Sequence, residues 1–289
     1  MADLPSLLAA RYGTAPSSAG VPPPPSPLAI PSNPALELLL QHKSTRKFLP
    51  PQDQEPPLPP GTLELLIAAA QSAASSSNLQ TWSVVAVEDP GRKAAAARLS
   101  GDQEFIREAG VLLVFCADLS RLSRVSGRHG TAGAGLEFTE MYTMATVDAG
   151  LAGQNATVAA EALGLGACYV GAARNRPREL ADLLGLPRRV VALFGLAVGR
   201  PDPVAARLAA VKPRLPQQEV LHRETWSDEE QAENLVAYDE TLDRFNAGQG
   251  RTDAPTWTYR SAHRIATVES LHGRDVWRQV LHERGFDLK

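Results

Sequence analysis

The sequence predicts a mixed fold, α/β or α+β, around a sheet covered on both faces. Four short apolar runs, 82–87, 111–116, 167–171 and 190–198, have the length of buried strands, and helical patterns alternate with them. The pattern over 136–163 continues unbroken and predicts a helix of about 40 Å at the standard rise. Beyond residue 225 the character changes: 226–285 is strongly charged and helical in pattern, with little strand signal.

Each element has a local cause. Residues 13–34 are rich in Pro, Ser, Gly and Ala, with four prolines at 22–25, and such a stretch buries little. Residues 1–33 are therefore expected to be a flexible leader, with the folded part starting near Pro34. Leu36, Leu39 and Leu40 form a short helical stripe, and the proline-rich segment 50–60 predicts an extended connection. Gly61 and Thr62 open a helix that runs to Ala74, with Leu63, Leu66 and Ala70 on one face. Asp89-Pro90-Gly91 ends the first strand and a helix follows over 92–99. Ala149, Gly150, Ala152 and Gly153 keep the long helix slim, which lets another backbone approach closely. A helix over 177–184 separates the last two strands, and the tail predicts helices at 228–246 and 257–284. The expected organisation is a core over 34–225 with a helical extension over 226–289 packed on it.

Composition excludes several classes. A formal charge of −3 gives no footprint for nucleic acid or an anionic membrane surface. No apolar run is long enough to span a bilayer. Cys116 and Cys168 both lie in apolar strand-like runs, as buried reduced thiols do, which favours a reducing, cytoplasmic compartment. The six histidines are scattered, so no metal-ligand spacing arises, and no nucleophile elbow is present. A chain without its own acid, base or nucleophile signature has the pattern of an enzyme whose cofactor carries the chemistry.

Three stretches hold the polar groups such a cofactor needs. His42-Lys43-Ser44-Thr45-Arg46 follows a helical stripe; its cations suit either a helix C-terminus or a phosphate group. Lys212-Pro213-Arg214-Leu215-Pro216 is held extended by its prolines and is either a solvated edge or a preset anion clamp. Ser75-Ser76-Ser77-Asn78 serves as turn chemistry or, with Gln80, faces a ligand at a sheet edge. The glycines of 164–172 run from helix to strand, the reverse of a dinucleotide fingerprint. Gly171 and Ala172 could offer open backbone N–H groups to a flat ring.

These motifs, with Gly101-Asp102-Gln103, residues 148–162 and 193–199, resemble the flavin-dependent nitroreductase family. The resemblance covers about 34–285 and points to the branch of oxygen-insensitive NADPH nitroreductases and flavin reductases, which carries the Lys-Pro-Arg-Leu-Pro element. It implies an α+β fold with a mixed central sheet flanked by helices, in an intertwined homodimer with contributions from both chains to the site. It also implies bound FMN and NADPH as hydride donor, with no catalytic side chain and no metal. His42, Lys43, Ser44 and Arg46 would hold the phosphate and one ring edge, and Lys212 and Arg214 would complete the anion site. Ser75, Ser76, Ser77, Gln80 and Gln103 would reach the ribityl chain and pyrimidine edge. Tyr169, Val170, Gly171 and Ala172 would lie near the dimethylbenzene–N5 side, with Arg174 at its rim. Arg251 is the nearest candidate for the NADPH phosphate contact. Lys43 stands where Arg is commoner, and Asn78 where the family has an aromatic residue. The implied activity is two-electron, ping-pong reduction of nitroaromatics, quinones or free flavins. The alternatives are supply of reduced FMN to a partner, or flavin sensing or storage without turnover.

Overall fold

The computed structural model describes residues 4–13, 33–50, 53 and 57–289. Residues 1–3 and 14–32 of the expected leader lie outside the described residues, as do 51, 52 and 54–56 of the extended connection expected over 50–60. In chain order the first elements are α1 (Leu4–Tyr12), α2 (Pro34–Gln41), α3 (Thr62–Gln71), β1 (Trp82–Val87), α4 (Pro90–Leu99) and α5 (Glu104–Glu108). Then come β2 (Val111–Asp118), α6 (Ser120–Arg128), α7 (Thr139–Ala162), β3 (Gly166–Val170), α8 (Pro177–Leu184) and β4 (Val190–Gly199). Helices α9 (Pro203–Leu208), α10 (Gln231–Gly248), α11 (Trp257–Arg264) and α12 (Trp277–Glu283) complete the chain.

Two units emerge, and they divide the chain elsewhere than the sequence suggests. One comprises Ser44–Ala206 with Leu271–Lys289; the other comprises Met1–Lys43 with Arg207–Ser270. The tail is thus shared, since its last residues belong to the sheet-bearing unit.

In that unit the sheet order is β1-β2-β4-β3, and every pairing is antiparallel. The expected mixed sheet is corrected to an antiparallel one over the described strands. Strands buried on both faces read as continuous apolar runs whichever way they pair, so the sequence carries no sign of direction. Strand β2 is buried along its whole length. Its alternation sends Val111, Leu113 and Phe115 toward α3 and α7, where they meet Leu66, Ala152 and Ala156. Leu112, Val114 and Cys116 face the other way, onto Ala97, Ile106 and Leu180 from α4, α5 and α8. The end of the chain closes a third cluster, with Leu281 and Phe286 packed among Ala145, Ala149 and Leu193. Both cysteines are free and buried. Burial, with the Asp118 charge behind it, pushes the Cys116 thiol up to about 12, which makes it inert.

The small residues of α7 serve this packing. A Cβ on Gly153 would lie 2.8 Å from the Phe194 ring, so only glycine admits the close approach of α7 to β4. Caps fix the other ends: Asp89 accepts from the Arg92 N–H at 2.8 Å to start α4. Pro177 opens α8 and Gly185, at φ 64°, closes it. Two predicted helices are shorter than their patterns. Phe138 is extended, and it separates a 3-10 turn at Ala134–Glu137 from α7. The tail helix expected over 257–284 stops at Arg264 and resumes at Trp277, with His272 and Gly273 between them at positive φ.

In the other unit, α10 buries Tyr238 and Leu242, and the Tyr238 ring meets Trp257 of α11 edge-on at 5.6 Å. Folded structure here begins well before Pro34, a correction to the expected leader. Helix α1 buries Leu4, Leu7 and Arg11. Its Gly13 end packs so tightly that a Cβ there would lie 2.9 Å from Thr241. The composition of 13–34 says nothing about the apolar stripe that precedes it.

Candidate functional site

The smaller unit brings the His42–Lys43 end of one basic motif together with the Lys212–Arg214 segment. Helix α2 starts at Asn33, whose side chain accepts from Leu36 N–H at 3.0 Å, and its end delivers His42 and Lys43. The Lys43 ammonium donates to the Ala209 carbonyl at 2.9 Å, just ahead of Lys212. Across the join lies a side chain that no sequence motif singled out. The Arg11 guanidinium donates to the carbonyls of Leu40 at 2.6 Å and His42 at 3.2 Å. It also donates to the Lys212 carbonyl at 3.3 Å. In return the Arg214 N–H donates to the Arg11 carbonyl at 2.8 Å. Pro213, between the two cations, is fixed by the Tyr238 hydroxyl, which donates to its carbonyl at 3.0 Å. Lys212 and Arg214 are left at the surface. Arg251 stands on the loop after α10, where its guanidinium lies 5.8 Å from the Phe245 ring centroid.

In the sheet-bearing unit, Ser44–Arg46 runs beside the edge strand β3. Thr45 N–H donates to the Ala167 carbonyl at 2.9 Å, and Gly166 leaves room for the Thr45 side chain, which a Cβ would touch at 2.6 Å. Burial raises the Cys168 thiol pKa, and the nearby Arg46 charge opposes that rise. Along the same strand Tyr169 leans on Phe194, with centroids 5.3 Å apart. Burial is the main reason its hydroxyl pKa is raised. Val170 is buried, and Gly171 opens the turn that follows. A Cβ on Gly101 would lie 3.6 Å from that of Ala172 and 4.0 Å from the Gln103 amide nitrogen, so these residues share one corner. Gln103 donates to the Ser100 carbonyl at 2.9 Å.

Arg174 also has a structural partner. Between β2 and β4 the register slips, pairing Phe115 with Phe194 but Cys116 with Ala192, so Leu193 is an extra residue. The Arg174 guanidinium donates to the stranded Leu193 carbonyl. Desolvation lowers its pKa, as expected for a cation spent on a buried backbone acceptor.

The serine loop is organised by a second unforeseen residue, Asp148. Its carboxylate sits on the buried face of α7, 1% exposed. It accepts from Ser75 Oγ at 2.8 Å, Ser76 N–H at 3.1 Å, Thr81 N–H at 3.1 Å and Thr81 Oγ1 at 2.9 Å. Burial alone would raise its pKa, but the bonds from Ser75, Thr81 and Ser76 outweigh that, and the net shift is downward. Ser75 is thereby committed to the loop, since its oxygen also accepts the Gln80 N–H at 2.8 Å. Thus held, the loop carries Ser77, Asn78 and Gln80 at φ of 49°, 55° and 52°, an arrangement that needs support. Ser76, Ser77 and Gln80 have exposed side chains. Arg121 braces the far side, donating to the carbonyls of Gln80 and Trp82 and to Ser83 Oγ. Asn78, Gln80, Trp82 and Arg121 line a cleft of about 510 Å³. A lone acid on an otherwise apolar helix face was the available signal for Asp148; Arg121 had none.

The paired cations of the smaller unit suit a phosphate group; separately, the amides, hydroxyls and open glycine turn of the sheet-bearing unit suit a flat polar ligand. No group of three or more His, Cys, Asp or Glu among the described residues could hold a metal ion.

The chain is similar to known proteins over most of its length. Residues 39–200 match the nitroreductase family, and 212–289 match the C-terminal domain of that family. The FMN reductase (NADPH) of Bacillus subtilis is 37% identical over 261 residues, covering 88% of this chain and 99% of that protein. The oxygen-insensitive NADPH nitroreductase of Salmonella typhimurium is 36% identical, covering 88% and 98%. Among solved structures, NfrA1 of B. megaterium superposes with a TM-score of 0.80 at 35% identity, covering 88% of this chain and all (100%) of that one.

Proposed function

The chain belongs to the nitroreductase family, and from that premise we propose that it is an FMN-dependent NAD(P)H oxidoreductase acting on nitroaromatics, quinones or free flavins. The observation that carries the proposal is the pairing of His42 and Lys43 with Lys212 and Arg214 through Arg11. Two basic segments far apart in sequence have little reason to be pinned side by side except to receive an anion.

When bound, FMN supplies the two-electron chemistry that takes a hydride from NADPH and passes it to the acceptor. The protein binds and orients. Lys43, Lys212 and Arg214 attract the phosphate, with His42 beside them; Ser44 and Arg46, which follow in sequence, are further candidates for anion contacts. Ser76, Ser77, Gln80 and Gln103 offer donors to the polar chain and ring edge, and Gly171 and Ala172 leave space at the ring's apolar side. Arg251 contacts the 2′-phosphate of NADPH. Asn78, small and polar where an aromatic residue is commoner, opens the pocket over the ring to broader acceptors.

The outer face of α7 exposes Val147 and Leu151 beside Gly150, and we assign it to a second copy of the chain. A homodimer would weigh about 62 kDa, twice the 30.9 kDa chain. The buried free thiols suit a cytoplasmic setting, and no helix among the described residues is long and apolar enough to cross a membrane.

The test is the visible spectrum of the purified protein. Oxidised-flavin bands bleached by NADPH and restored by a nitroarene or free FMN are expected. A protein that binds FMN yet oxidises no NADPH with any acceptor would be a sensor or store, and the proposal would fail. Comparing rates with nitroarene and with free FMN separates a general reductase from a supplier of reduced flavin.

A further inference from the structure

Helix α1 precedes both matched stretches of the family, which start at residues 39 and 212, so its role has to be read from this chain alone. Three contacts seat it on the segment that carries Lys212 and Arg214, and a fourth on α10. The Arg11 guanidinium takes the Lys212 carbonyl, the Arg11 carbonyl takes the Arg214 N–H, and the Gln217 amide donates to the Tyr12 hydroxyl at 3.3 Å. Gly13 packs against Thr241 at a distance no side chain allows.

Arg11 is buried, at 6% exposure, and its guanidinium donates to four carbonyl oxygens, those of Leu39, Leu40, His42 and Lys212. A planar group with five donors can hold several carbonyls at fixed angles, which an ammonium cannot. Two of those carbonyls belong to residues whose side chains are assigned to the anion site. The end of α2 contributes His42 and the extended segment contributes Lys212, 170 positions further on (212 less 42). Repulsion between their cations favours separation, and both segments lack strand pairing, so their juxtaposition needs a fastener.

We propose that α1 is a clamp built onto this chain, and that Arg11 is the positioning residue that sets the spacing of the Lys43 and Lys212–Arg214 cations for the FMN phosphate. The inference rests on the phosphate assignment above. Arg11 does not touch the phosphate; it acts through the backbone of residues that do. Preorganised cations bind a dianion without first paying the cost of being gathered, so loosening the clamp weakens phosphate recognition in particular.

The full-length protein, stripped of FMN, is titrated with FMN and with riboflavin, which has the same ring and no phosphate. Arg11→Ala is expected to lower FMN affinity about tenfold, the scale of one charge-assisted contact, and to leave riboflavin affinity unchanged. Arg11→Lys recovers only part of the loss, because it keeps charge without the fork. Gly13→Val disturbs the seat at Thr241 while keeping the guanidinium; an FMN-selective loss there reports position, not charge. It also covers the case in which Arg11→Ala does not fold. Unchanged FMN affinity in both variants overturns the inference, and so does an equal loss for FMN and riboflavin, which marks a general structural role. Arg214→Ala separates the two levels. If it weakens FMN binding while the clamp variants do not, the clamp alone falls; if it has no effect, the phosphate assignment falls and the clamp with it.

Discussion

Replacing Asp148 tests the central support of the serine loop. Its carboxylate is buried and accepts four hydrogen bonds from Ser75, Ser76 and Thr81. Hydrogen bonds to a charged group contribute about 1.5–3 kcal/mol each, but four on one carboxylate are coupled and do not add. Asp148→Ala removes all of them, leaves two backbone N–H groups and two hydroxyls to find new partners, and is expected to cost about 3–5 kcal/mol. Asp148→Asn is milder. Its amide oxygen can take the position of Oδ2 and keep three neutral bonds, while its NH2 group faces the Ser76 N–H; about 1.5–3 kcal/mol is expected. The pH dependence has a definite sign. A carboxyl whose pKa is lower in the folded state contributes stability above its unfolded value, about 3.9, and loses it as the pH falls through the folded value. Wild-type stability should therefore drop below about pH 4 more steeply than that of the asparagine variant. Urea unfolding of FMN-free protein, followed by circular dichroism from pH 7 to pH 3, reads both effects. An alanine variant within about 1 kcal/mol of wild type, or an asparagine variant equally damaged, would refute the reasoning.

Other substitutions separate structural from binding roles. Arg174→Ala strands the Leu193 carbonyl and should cost about 1–3 kcal/mol in urea unfolding; its FMN affinity should stay within about twofold, whereas a loss beyond about tenfold would return Arg174 to the ring. Gly153→Val pushes a side chain into the Phe194 ring, which is held by Phe115 at 5.2 Å and Tyr169 at 5.3 Å, and a destabilisation of about 1–3 kcal/mol is expected. Arg251→Ala should raise KM for NADPH well above its effect on KM for NADH, because only NADPH carries the 2′-phosphate; equal effects would remove Arg251 from that role. Sedimentation should give about 62 kDa, twice the 30.9 kDa chain, and a monomer that keeps FMN tightly bound would exclude the α7 interface.

Elements whose causes are local could be read from the residues alone. Strand β1 at Trp82–Val87 and helix α8 at Pro177–Leu184 match their predicted bounds, because Asp89-Pro90-Gly91 closes the first while Pro177 and Gly185 bracket the second. The sequence also fixed the chemical types on offer: two basic motifs, a run of serines, an open glycine turn. What these groups do to one another was decided by contacts between distant parts of the chain. Ser75 turns inward because Asp148 lies 73 positions away in sequence but 2.8 Å away in space. Arg174 meets the Leu193 carbonyl at a bulge that exists only once β2 and β4 have paired. The antiparallel order of the sheet was equally hidden, since a strand buried on both faces shows the same apolar run in either direction. Arg11 is the extreme case: the Lys212 carbonyl it holds is 201 positions away. No pattern in its neighbours marks it, because backbone carbonyls have no sequence and the residues that supply them can be of any type.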